Sequence, residues 1–124
     1  MRVNNLLDEK GYDVHSTSPD AMVYDALKLM AEKEIGALVV LEGEKMVGII
    51  TERDYSRKVI LKGKASKETM VREIMTSEVS YTSPDQKVEK CLSLMTKKRF
   101  RQMPVLEGGK VVGMLSIGDI RSKI

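Results

Sequence analysis

The sequence predicts an α/β (α+β) fold in which a strand–helix–strand–strand–helix series occurs twice in tandem. The two small sheets are expected to pack together with the helices outside. Three observations predict this: an internal repeat, paired apolar runs of strand length, and matched helix-start signals. The stretch SPDAMVYDALKLMAEKEIGALVVLEGEKMVGIITERDYSRKV begins at Ser18. It aligns without a gap on SPDQKVEKCLSLMTKKRFRQMPVLEGGKVVGMLSIGDIRSKI, which begins at Ser83. About 17 of some 42 aligned positions are identical at an offset of roughly 65 residues. Upstream, Val3, Leu6 and Leu7 have the spacing of Val71, Ile74 and Met75. Two copies are too few for a solenoid and favour a closed pseudo-twofold domain.

Each copy opens on a short strand, around Val14–Thr17 and Val79–Thr82. Ser18-Pro19-Asp20 and Ser83-Pro84-Asp85 then read as helix starts: serine caps, proline suits the first helical position, and aspartate suits the positive helix end. Val23, Ala26, Leu27, Met30 and Ala31 recur at helical spacing, as do Val88, Cys91, Leu92 and Met95. Apolar strands follow at Ala37–Leu41 with Met46–Ile50, and at Met103–Leu106 with Val111–Leu115. Glu42-Gly43-Glu44-Lys45 and Glu107-Gly108-Gly109-Lys110 join them as tight hairpins. A second helix opens after Thr51, with Tyr55 and Val59 inward, and after Ser116, with Ile117, Ile120 and Ile124 inward. Leu61 to Ala65 is a polar break, and Ser66 to Met75 reads as a linking helix. Copies of this size bury little core alone, so the two should pack sheet to sheet and form equivalent clefts where they meet.

Composition narrows the function. The chain has 124 residues, 42% hydrophobic and 31% charged, which is ordinary for a folded domain. Aromatics are 4%, with no tryptophan, so aliphatic residues and nine methionines must build the core. No apolar run approaches the ~20 residues of a membrane span, and the N-terminus lacks a signal-peptide core. A cytoplasmic protein is the expectation. One cysteine and one histidine leave no disulfide framework, and speak against a zinc site and a Cys–His catalytic pair. No catalytic and no metal-ligating residue is expected. The net charge of +3 and a pI near 9.0 suit an anionic ligand without requiring nucleic acid.

The sharpest local signal is a hydroxyl and a carboxylate three residues apart directly after a strand, in both copies. These are Thr51 with Asp54 in GIITERD, and Ser116 with Asp119 in GMLSIGD. Such a pair is a capping box. It can also recognise ribose, because a carboxylate at a strand-to-helix corner accepts hydrogen bonds from both ribose hydroxyls, beside a helix N-terminus that favours anions. Arg53 and Arg101 abut strand ends and could fork onto phosphate. The other basic residues, Lys97 and Lys98 among them, read as a solvated face. His15 reads as surface or packing, and Cys91, opposite Ala26 in the repeat, as core.

These segments, with IGALVVLEGEKMVGIITERD, VREIMT and RFRQMPVLEGGKVVGMLSIGD, resemble a CBS domain pair, the Bateman module named after cystathionine β-synthase. The resemblance covers almost the whole chain, as residues 1–62 for a first repeat with the N-terminal helix and 63–124 for a second with the linking helix. TERDYSRKV and SIGD are further similar to stand-alone CBS-pair proteins. The resemblance implies βαββα repeats dimerising into a flat disc, with AMP, ADP, ATP, NAD(H) or S-adenosylmethionine held in the clefts. It implies that Asp54 and Asp119 hold ribose hydroxyls and that Thr51 and Ser116 orient the nucleoside. Val14, Ser16, Val79 and Tyr81 would lie along adenine. Gly36, Ala37 and Leu38 would form one base pocket, and Gln102, Met103 and Pro104 the other. Arg53 and Arg101 would face phosphate. Arg101 and Pro104 fit the family's basic-x-x-Pro pattern, whereas the first repeat has Gly36 and Val39 there, and Gly118 stands opposite Arg53. Unequal sites are therefore expected. The expected function is a non-enzymatic energy or redox sensor acting on an effector protein in trans. The alternative is a structural homodimerisation module without a physiological ligand. Nucleotide hydrolysis lacks a Walker loop and an acid cluster, and nucleic-acid binding lacks aromatics and a motif.

Overall fold

The computed structural model describes residues 1–123. Ile124, expected on the inner face of the last helix, lies outside the described residues. The chain forms two compact units, His15–Val79 and Met1–Val14 with Ser80 onwards.

In the 15–79 unit, β1 (Ser16–Thr17) runs parallel to β2 (Ala37–Glu42), which pairs antiparallel with β3 (Lys45–Thr51). A two-residue turn at Gly43-Glu44, with Gly43 at φ 65°, closes this hairpin. Helix α2 (Val23–Lys33) turns Val23, Ala26 and Met30 onto Leu38, Val40 and Ile50, and α3 (Glu52–Lys58) leads to Val59 on the same core. The linking segment completes the layer through Val71 and Ile74 of α4 (Val71–Ile74).

The other unit repeats this order with a different donor. Helix α1 (Val3–Lys10), from the N-terminus, takes the place that α4 holds in the first. Val3, Leu6 and Leu7, all 0–1% exposed, join α5 (Val88–Lys98), β4 (Gln102–Glu107), β5 (Lys110–Ser116) and α6 (Ile117–Arg121) in one core. The units are thus cut differently from a linear division at residues 62 and 63. Backbone hydrogen bonds show why. The first amides of α2 donate to the linking segment, Val23 N to Thr69 O (2.8 Å) and Tyr24 N to Ser66 O (3.0 Å). At α5 the same need is met from the N-terminus, Val88 N to Met1 O (3.1 Å), while Val3 N donates back to Gln86 O (2.9 Å).

Those bonds also move the helix starts. Ser18-Pro19-Asp20 and Ser83-Pro84-Asp85 do not open helices. Ser18 Oγ accepts from Asp20 N (3.1 Å) and Ser83 Oγ donates to Asp85 (2.7 Å), making local turns, and the helices begin at Val23 and Val88. The expected 66–75 helix shrinks to α4, because Met70 pairs with Met22 as an isolated bridge and Thr69, buried, donates to Ala65 O (2.8 Å). The strand expected at 79–82 is a single parallel bridge, Thr82 to Val105.

Two glycines mark where the borrowed helices press on the sheets. A Cβ at Gly113 would stand 2.8 Å from a Leu7 methyl; at Gly48 it would stand 2.8 Å from Met75 Sδ and 2.9 Å from Thr76 O. A leucine methyl can swing aside. Thr76 O cannot, because Ile49 N donates to it at 2.9 Å. Gly48→Ala is therefore expected to cost about 1–3 kcal/mol of stability, and Gly113→Ala less. Urea denaturation of the two variants would reverse this reading if Gly113→Ala were the worse.

Candidate functional site

In each unit the end of the hairpin's second strand meets the start of its first. Ala37 lies opposite Thr51, and Glu52 N donates to Gly36 O at 3.1 Å. Gln102 lies opposite Ser116, and Ile117 N donates to Arg101 O at 2.8 Å. The sheet register thus gathers Gly36, Ala37, Thr51, Arg53 and Asp54 at one corner, and Arg101, Gln102, Ser116 and Asp119 at the other. Ser16 pairs with Val39, which places β1 two residues along from the first corner.

Both capping boxes form. Asp54 Oδ2 accepts from Thr51 N (2.9 Å) and from the Thr51 hydroxyl (3.0 Å), while Thr51 Oγ1 accepts from Asp54 N (3.1 Å). Asp119 Oδ2 accepts from Ser116 N (2.8 Å), and Ser116 Oγ accepts from Asp119 N (3.0 Å). The carboxylates are held rigidly and are mostly covered, with side chains 14% exposed for Asp54 and 25% for Asp119.

A lysine reaches each carboxylate from a different place. Lys58 Nζ, one helical turn on, lies 3.2 Å from Asp54 Oδ1 and donates to Ile74 O at 2.9 Å. Lys10 Nζ, at the end of α1, donates to Asp119 Oδ2 (2.7 Å) and to Met114 O (2.6 Å). The i,i+4 spacing of Asp54 and Lys58 could have revealed the first pair. Nothing in the local sequence joins Lys10 to Asp119, which lies 109 residues away. Burial opposes ionisation of Asp119, but the hydrogen bonds from Lys10 and Ser116 outweigh it and hold the carboxyl below its ordinary value. A depressed carboxylate stabilises the fold above its unfolded pKa and loses that contribution as pH falls through the folded pKa. Lys10→Met is therefore expected to raise the Asp119 pKa and lower stability near neutral pH, with the deficit against the parent vanishing in acid. Carboxyl-carbon NMR titration together with denaturation across pH checks both; a deficit that persists below the folded pKa would point to lost packing instead.

The remaining positions separate by exposure. Arg53, Arg101 and Ser16 are exposed, and so is Tyr81 at 60%. Val14, Val79, Gly36 and Gln102 are half-buried, and Ala37 and Pro104 are buried. Leu38 and Met103, expected in the base pockets, are both 0% exposed and belong to the two cores. Their inward direction follows from strand alternation, which leaves them supporting the corner from behind. Cys91 is core as expected; its thiol hydrogen-bonds Thr82 Oγ1 at 3.3 Å, and burial pushes its pKa up. Among the described residues no His, Cys, Asp and Glu cluster could hold a metal ion, and no helix is long and apolar enough to cross a membrane.

The architecture is a duplicated α/β unit presenting one corner carboxylate per unit. The family model described as CBS domain matches residues 10–60 and 71–124, and the chain belongs to the CBS-domain family. A solved structure, the crystal structure of the CBS domain NE2398, is 48% identical, covers 99% of this chain and 96% of its own, and superimposes with a TM-score of 0.96. The Arabidopsis thaliana CBS domain-containing protein CBSX3, mitochondrial, is 40% identical over 95% of this chain. The chain spans 62% of that relative's length. The CBS domain pair of MJ0100, solved in complex with 5′-methylthioadenosine and S-adenosyl-L-methionine, shares the fold at 24% identity with a TM-score of 0.87, covering 99% of this chain and 94% of its own.

Proposed function

We propose that this chain is a regulatory module that binds an adenosine-containing ligand, AMP, ADP, ATP or NAD(H) before S-adenosylmethionine, and passes its occupancy to a partner in trans. The observation that carries this reading is the duplicated corner. In each unit a mostly covered carboxylate is fixed by its own capping box at a strand-to-helix junction, with an exposed arginine nearby. A carboxylate so fixed can take both hydroxyls of a ribose without first losing side-chain freedom. The exposed guanidinium suits phosphate. The fold's use in MJ0100 to hold adenosine derivatives agrees with this chemistry and supports the reading no further than the fold itself. The module acts by binding rather than by turnover, and it self-associates as a homodimer. Ligand binding signals only so far as it favours one arrangement of the module over another.

The sites are unequal. Arg53 flanks Asp54, whereas Arg101 serves Asp119, and a lysine from a separate helix already occupies Asp119 Oδ2. Calorimetric titration with AMP, ATP, NADH and S-adenosylmethionine tests the proposal. Saturable binding with two distinguishable affinities, or at one corner alone, is the expected result. No heat with any of the four, from folded protein, would leave a structural dimerisation module whose carboxylates serve only as helix caps.

A further inference from the structure

Lys10, which reaches the second corner from α1, already holds the oxygen that a ribose would need there. From its two bonds we infer that Lys10 makes the Asp119 corner select phosphorylated adenosine over unphosphorylated adenosine. A ribose displaces the ammonium from the carboxylate, and only a ligand phosphate offers that ammonium a new anion. The inference rests on the proposed adenosine reading and adds the chemical class that this corner takes.

Asp119 Oδ2 accepts two bonds, from Ser116 N at 2.8 Å and from Lys10 Nζ at 2.7 Å. Two bonds fill an oxygen with two lone pairs. A ribose that sets one hydroxyl on each carboxylate oxygen must therefore remove a donor from Oδ2. Ser116 N cannot leave: its residue pairs with Gln102 in the sheet and caps α6, accepting from Asp119 N at 3.0 Å. Lys10 can leave. Its ammonium rides on a flexible four-carbon stem, and its side chain is 34% exposed. The helix that carries it need not move, because Val3, Leu6 and Leu7 hold α1 in the core and the neighbouring Glu9 pairs with Lys123 at 2.7 Å.

Once displaced, Lys10 keeps only Met114 O, a neutral carbonyl at 2.6 Å. It has given up a bond between charged partners, the stronger kind. Adenosine is uncharged and offers nothing in its place. AMP brings a phosphate, which restores a charged partner, and Arg101 stands exposed at the same corner as a second cation. The first corner is arranged otherwise. There Asp54 Oδ2 takes Thr51 N at 2.9 Å and the Thr51 hydroxyl at 3.0 Å, while Lys58 stands 3.2 Å from the other oxygen, Oδ1. A hydroxyl rotates aside freely, and Oδ1 can accept a second bond beside Lys58. Selection by a displaced lysine therefore belongs to the second corner.

The test is the ratio of AMP to adenosine affinity, read by calorimetry near neutral pH. Asp54→Asn is present in every variant, so that the second corner dominates, and circular dichroism confirms the fold. Against that background Lys10→Met is expected to bind adenosine more tightly and to lose its preference for AMP. The ratio should fall about tenfold or more, the worth of one hydrogen bond to a charged group. Lys10→Arg keeps a cation on a long stem and is expected to keep the preference. A merely structural role for Lys10 would shift both ligands by one factor; that result, or a ratio unchanged in Lys10→Met, would overturn the inference. Binding by the unsubstituted protein that vanishes with Asp54→Asn alone would overturn it too, since the second corner would then take no ligand. The two readings fail differently: binding with an unchanged ratio defeats only the selection, whereas no binding of AMP or adenosine to the unsubstituted protein defeats the adenosine reading and the selection with it.

Discussion

Leu7→Ala is expected to destabilise the unit built from the N-terminus and residues 80–123 by about 2–5 kcal/mol, the range for a leucine removed from a core that cannot close over the gap. Leu7 is 0% exposed and lies over Gly113, whose missing side chain makes room for it. Alanine would leave a void on a part of β5 with no Cβ to fill it, so relaxation there is small. A loss of this size approaches the whole stability of a small domain. It should also be local. Hydrogen exchange is expected to lose protection first in residues 102–116, with residues 37–51 retaining theirs. The counterpart variant Met75→Ala should act on the 37–51 hairpin and act more weakly, because Met75 is only half-buried and flexible. If Leu7→Ala opened both hairpins together, α1 would not belong to the second unit alone.

The exchange of helices that makes this prediction possible was only half legible in the sequence. Val3, Leu6 and Leu7 share the spacing of Val71, Ile74 and Met75, which marks the two segments as equivalent. It does not say which repeat each one serves, since that is decided by backbone bonds such as Val88 N to Met1 O, and periodicity carries no information about them. The hairpins were legible because paired apolar runs of strand length and the turn glycines between them agree there. Ser18-Pro19-Asp20 misled for a physical reason: the residues that cap a helix are also those that make a turn, and here the turn wins because α2 finds its caps on Thr69 and Ser66. At the site, the Thr51–Asp54 and Ser116–Asp119 pairs were visible as motifs, and their capping geometry is as the spacing requires. The resemblance implies that Leu38 and Met103 line base pockets, and their burial in the two cores follows from an inward register that a residue list does not display. Lys10 was invisible, because its partner lies at the far end of the chain.

Asp54→Asn is the variant that separates a helix cap from a ligand site. Asparagine keeps the shape and its amide oxygen can still accept a hydrogen bond from Thr51 N, while the N-cap residue itself, Thr51, is untouched, so the capping box suffers little. Removal of the charge also frees Lys58, which stands 3.2 Å from Asp54 Oδ1, but that lysine side chain is 45% exposed and keeps its bond to Ile74 O, so its ammonium is not left without a partner. The protein should therefore stay folded. Ribose binding should not survive so well. Hydrogen bonds to a charged group are worth about 1.5–3 kcal/mol, so the loss of the carboxylate is expected to weaken adenosine-ligand affinity at this corner by about 10- to 100-fold. Asp119→Asn should do less to the overall titration, since Lys10 already competes for the same carboxylate oxygen and the parent site starts weaker. The measurement is calorimetry with AMP beside thermal unfolding of both variants. An affinity unchanged in Asp54→Asn, with the melting temperature also unchanged, would remove the carboxylate from the ligand's contacts and leave it a cap. An affinity loss that tracks a matching loss of stability would say the same. Only a large change in binding against a small change in stability supports a ribose clamp, because a cap acts on the helix whether or not a ligand is present.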